Sequence, residues 1–258
     1  MRLLPLGFEY ASSYRVRGPQ GSLGDLGDSW DCQMGLLRFI SKDRLSQVMK
    51  IVPQSQYCYA NRVARITLKG FEEVLGRKGL NAVLSLAGLD RWIDQFPPDN
   101  LDEEFNFADF SAIYQALEEM YGARGGGGLA IRAGRAAFDD ILNEFGSQLG
   151  TDQLSFKIMP QHEKTKVFLI NANAVFGGIS DQQASMQETE DGFTLHIHRC
   201  PACWGRTGLD RPVCYFIVGM LQEGLKWLSG GQDCYITETQ CIAMGDTVCE
   251  FRIPKTVS

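Results

Sequence analysis

Asp191-Gly192-Phe193-Thr194-Leu195-His196-Ile197-His198-Arg199 opens on a tight-turn dipeptide and then alternates apolar with polar residues. Period two marks a strand with one buried face, and Asp-Gly ahead of it marks a hairpin, so antiparallel strands are predicted over 184–190 and 193–199. Downstream, Phe216, Ile217, Met220, Leu221, Leu225 and Leu228 recur at a helical period, and Gly230-Gly231 ends that helix. Two further strands are predicted near 233–240 and 247–253, joined by a turn at Met244-Gly245-Asp246. Upstream the period is helical: Val63, Ile66, Phe71, Val74 and Leu75 form one stripe, and Phe107, Phe110, Tyr114, Leu117 and Tyr121 another, which stops at Gly122. Gly125 to Gly128 reads as a loop leading to a helix from Ile131 to Phe145. The fold class is α+β, with helices packed on one face of an antiparallel sheet of about four strands.

Residues 1–50 are expected to form an irregular arm, because Gly18 to Ser29 is rich in glycine and polar residues and poor in side chains to bury. Trp30, Leu36, Leu37, Phe39 and Ile40 would let the arm dock on a surface. Residues 51–258 are expected to form a single ligand-binding domain. A formal charge of -6, with 25 basic against 31 acidic side chains, excludes a general nucleic-acid binder. No apolar run reaches the roughly 18–20 residues that cross a bilayer, and Met1 to Phe8 is too short for a secretory signal. A cytoplasmic protein with reduced thiols is the expectation.

The chemistry concentrates at the end of the chain. Six of the eight cysteines follow residue 199: Cys200, Cys203, Cys214, Cys234, Cys241 and Cys249. Thiolates and a carboxylate converging from separate elements suit a tetrahedral zinc site, and Cys214, Glu238, Cys241 and Cys249 are the candidate donors. Buried thiols without a shared task are the alternative. Strict alternation would put Glu238 and Cys241 on opposite faces of a strand, so a common site requires the strand to end or bulge at Gln240. Cys200-Pro-Ala-Cys203 is a second candidate thiol site, suited to metal binding, redox cycling or covalent attachment of a tetrapyrrole, or else a tight turn with buried thiols.

A Cys at the head of a helix, then Glu238-Thr-Gln-Cys241, then Gly245-Asp-Thr-Val-Cys249 and a last strand, resembles the 4-vinyl reductase domain family. Members are hydrocarbon-binding proteins, bacteriochlorophyll-biosynthesis and photosystem-assembly proteins, and sensor domains of phenol-responsive activators. The resemblance implies a fold similar to haem nitric-oxide sensors and TRAPP subunits. It also implies a closed structural zinc on Cys214, Glu238, Cys241 and Cys249 beside an aromatic-ligand pocket. The sensors' pocket residues do not carry over residue by residue. By proximity to the thiols, the candidate ligand contacts are Phe193, His196, His198, Trp204, Arg206 and Tyr215.

Two function classes follow. One is non-catalytic binding of a small hydrophobic aromatic or tetrapyrrole ligand by a carrier, chaperone or assembly factor in pigment or photosystem biogenesis, with pigment-pathway or photosystem proteins as partners and a homodimer as the assembly. The other is an enzyme, or an enzyme subunit, in vinyl reduction of a chlorophyll precursor. The absence of a dinucleotide fingerprint from the sequence favours the first.

Overall fold

The computed structural model describes residues 52–255. The expected arm at 1–50 lies outside the described residues. Two strands, β1 (Cys58–Ala60) and β2 (Glu103–Asn106), pair antiparallel and bracket helix α1 (Asn61–Leu86). Helix α2 (Phe107–Leu149) begins where the Asn106 side chain accepts a hydrogen bond from the Ala108 amide at 2.9 Å, capping the first turn. A short α3 (Leu154–Ile158) and α4 (Gln161–Gly178) complete the helical half.

The C-terminal half follows the period change in the sequence: β3 (Gln183–Glu188), β4 (Gly192–Arg199), α5 (Tyr215–Leu228), β5 (Thr237–Gln240) and β6 (Cys249–Pro254). The four strands form one antiparallel sheet in the order β3-β4-β6-β5. Phe193, Leu195 and Ile197 of β4 are buried, as are Cys249, Phe251 and Ile253 of β6, so one face of the sheet is packed. The hydrophobic core runs from that face into α1, α2 and α5.

Two features depart from expectation. The β1–β2 pair was not predicted, because strands of three and four residues carry too little periodicity to read. The Gly125–Gly128 segment is helical rather than a loop. Helix α2 does break at Gly122, whose left-handed φ of 72° suits a residue without a Cβ. The later glycines act through space instead. A Cβ at Gly134 would lie 2.1 Å from the Phe216 carbonyl oxygen, and one at Gly219 would lie 2.1 Å from that of Ile131. Helices α2 and α5 therefore cross at backbone contact, which only hydrogen side chains permit.

Candidate metal centre and adjoining cavity

Cys214 stands at the N-cap of α5, and its amide donates to Glu238 Oε2 at 2.8 Å. Glu238 lies on β5, where pairing slips between Glu238↔Phe251 and Gln240↔Glu250. This is the bulge that the spacing demanded, and it brings Glu238 and Cys241 to one side. Cys241 is anchored by its amide, which donates to Asp246 Oδ2 at 2.8 Å, and Gly245 closes the turn at a φ of 105°. Cys249 opens β6, and the Ile242 amide donates to its Sγ at 3.5 Å.

The three sulfurs are fully buried and mutually close: Cys214 to Cys249 3.7 Å, Cys214 to Cys241 3.9 Å, Cys241 to Cys249 3.9 Å. Donors about 2.3 Å from a tetrahedral zinc stand about 3.8 Å apart, so the spacing fits the ion. Glu238 fits as well. Its Oε1 is buried without a hydrogen-bond partner, an arrangement that is costly unless a cation sits there. Burial, and then the neighbouring Cys241 thiolate, push its carboxyl up to about 9. Hydrogen bonds from Cys203, Cys214 and Cys249 hold Cys241 well below the usual thiol range, while burial raises Cys214. The site gathers negative charge that a divalent cation would neutralise.

Cys200 and Cys203 join this cluster. Cys200 Sγ lies 3.6 Å from Cys214 Sγ, and Cys203 Sγ lies 3.4 Å from Cys249 Sγ. The donors fall into two sets, each within 4.8 Å: Cys200, Cys203, Cys214 and Cys249, and Cys214, Glu238, Cys241 and Cys249. The Cys-x-x-Cys spacing signalled a thiol site but not that it would meet the first one. Cys58 and Cys234 lie outside both sets.

An apolar cavity of about 110 Å³ lies between the helices and the packed face of the sheet. Phe110, Tyr114, Leu195, Ile197, Phe216 and Met220 are among its walls, and the Pro201-Ala202 segment between the two thiols closes it on the side of the cysteine cluster. Its polar lining is confined to Tyr59, Thr67, Tyr114, Asn173 and Gln182, and Tyr59 Oη is spent on Gln182 Oε1 at 3.2 Å.

None of the six sequence-predicted ligand residues lines this cavity. His196 and His198 share the outer face of β4, where His196 Nε2 meets Glu250 Oε2 at 3.1 Å and His198 meets Ser185 Oγ at 2.7 Å. Phe193 points inward but stacks on His162, with ring centroids 4.8 Å apart. Trp204 donates to the Pro53 carbonyl at 3.0 Å and meets Tyr57 edge-on. Arg206 is buried and paired with Glu118 at 2.7 Å. Tyr215 packs over Gly127. Phe216 and Tyr114, which do line the cavity, were readable as apolar helix positions but not as facing a void.

Comparison with known proteins gives a family match over residues 193–255, to the model of the 4-vinyl reductase domain. An uncharacterized protein of Methanocaldococcus jannaschii is 29% identical over 65 residues, 25% of this chain and 40% of that relative, so the chain spans less than half of the relative's length. Among solved structures, an oxygen-binding H-NOX domain related to soluble guanylate cyclases is similar over 76% of this chain and 97% of that one, at 11% identity and a TM-score of 0.49. An H-NOX protein from S. oneidensis in the Fe(II)NO state is similar over 72% of this chain and 95% of that one, at 13% identity and a TM-score of 0.46. Residues 193–255 hold all six cluster donors and form a 4-vinyl reductase domain, the family to which the Glu238-Thr-Gln-Cys241 and Cys249 spacing pointed.

Proposed function

We propose that residues 51–258 act as one non-catalytic binding unit for a small apolar ligand, with a structural zinc held by Cys214, Glu238, Cys241 and Cys249. The observation that carries this reading is the lining of the cavity. Among the described residues, its walls contain no histidine, cysteine or charged side chain. Such a void solvates hydrocarbon and offers little to acid, base or nucleophilic chemistry. Zinc in a closed site of four protein donors supplies folding energy and a fixed wall rather than an activated water.

The size of the cavity narrows the ligand. An engineered void of about 150 Å³ takes up benzene, so about 110 Å³ suits a single aromatic ring or a short hydrocarbon chain better than the tetrapyrrole that the family resemblance also allows. A carrier or assembly role in pigment or photosystem biogenesis, pairing of two copies and a cytoplasmic setting extend this reading from the resemblance. No helix of the described residues is long and apolar enough to cross a membrane.

Calorimetric titration of the zinc-loaded chain with toluene, phenol and a tetrapyrrole tests the proposal. Binding of a one-ring compound is expected, with loss of at least tenfold in affinity in Ala172→Leu, which fills the cavity from α4. No binding by any one-ring compound, or equal binding by the filled variant, would overturn it.

A further inference from the structure

A single zinc leaves the Cys200-Pro-Ala-Cys203 turn without a task, although its two thiols are as buried as those of the assigned donors, at 2% and 1% exposure. The two donor sets share the Cys214 and Cys249 sulfurs, 3.7 Å apart, and differ in what flanks that pair. On one flank stand Cys200 and Cys203, on the other Glu238 and Cys241. The distances across the first flank, 3.6 Å from Cys200 to Cys214 and 3.4 Å from Cys203 to Cys249, match those of a tetrahedral thiolate site as well as the 3.9 Å distances across the second. Two residues between paired cysteines is also the commonest chelating spacing for zinc.

We propose that this chain holds two divalent cations in one bridged centre. Cys214 and Cys249 bridge the two ions; Cys200 and Cys203 complete the first, and Glu238 and Cys241 complete the second. The proposal rests on the zinc reading above and adds an ion to it. Each ion then has four donors and no open position. Five thiols give up their protons to solvent on loading, and with the carboxylate the donors carry six negative charges. One divalent ion would leave four of these in a buried site, whereas two leave only two, which the Cys214 and Ile242 amides and other backbone dipoles around the cluster can support. The close sulfur packing leaves no room for inorganic sulfide between the cysteines, so the ions fit as separate cations of the zinc type.

The test is native mass spectrometry of the full chain loaded with Zn(II), together with cadmium NMR and the EPR spectrum of the Co(II)-substituted protein. Two ions per chain are expected, with two cadmium resonances. The cobalt signal per ion should be weakened by coupling through the thiolate bridges. Cys200→Ser combined with Cys203→Ser should retain one ion and restore an uncoupled cobalt signal. One ion in the unaltered chain would overturn the bridged centre and leave the single structural zinc standing. No ion would overturn both. If the double variant does not fold, the ion count and cobalt coupling of the unaltered protein decide alone.

Discussion

Arg206 shows at the scale of one residue how much position matters. Its place three residues after Cys203 suggested a ligand contact, yet its Nη2 lies 2.7 Å from Glu118 Oε2, with both side chains largely buried. The pair ties the thiol turn to α2. Removing one partner of a buried ion pair leaves an uncompensated charge and costs about 3–5 kcal/mol, whereas replacing both by apolar groups is often neutral. Glu118→Gln should therefore lower stability by about that amount in denaturant unfolding, and Glu118→Leu with Arg206→Met should restore most of it. Equal destabilisation by the single and double variants would refute the pairing as the cause. The histidines carry a second lesson. The alternation of Phe193, Leu195 and Ile197 already placed His196 and His198 on the opposite, outward face of the strand. Closeness in sequence to the thiols was the weaker signal.

At the scale of elements, most of the C-terminal half was legible: the hairpin, α5 with its Gly230-Gly231 stop, and the need for a bulge at Gln240 all follow from local pattern. What local pattern could not show is why the glycines of α2 are there. A run of glycines reads as a loop when only backbone freedom is considered, but Gly126, Gly127 and Gly134 each lie where another chain segment or ring occupies the space of a Cβ. Gly134→Ala should then force α2 and α5 apart and cost about 1–3 kcal/mol, as overpacking does. At an open helical position the same change would stabilise, by up to about 1 kcal/mol. Thermal unfolding distinguishes the two signs.

At the scale of the molecule, the metal centre and the cavity are one construction. Pro201 and Ala202 lie between two cluster thiols and Phe216 lies one turn or less from Cys214, and all three face the cavity. Stripping the metal with a strong chelator should therefore weaken binding of a one-ring ligand by more than tenfold, and re-addition of Zn(II) should restore it. Retained affinity in the metal-free protein would separate the two features. The convergence of Cys200 and Cys203 on the same centre was hidden in the sequence for a simple reason. Spacing reports which thiols can chelate as a pair, whereas the neighbours they meet are set by the return of β6 alongside β4.

The order of the donors along the chain bears on how the molecule is made. Helices α1, α2 and α4, which supply much of the cavity wall, all precede residue 179, whereas the donors run from Cys200 to Cys249. A ribosome thus releases the helical wall before the final thiol exists, and the greasy faces of that wall must wait for the floor. Zinc supply then governs the last stage of maturation: a cell short of the ion would accumulate chains with a finished helical half and an open, sticky side, the form that chaperones and proteases recognise first.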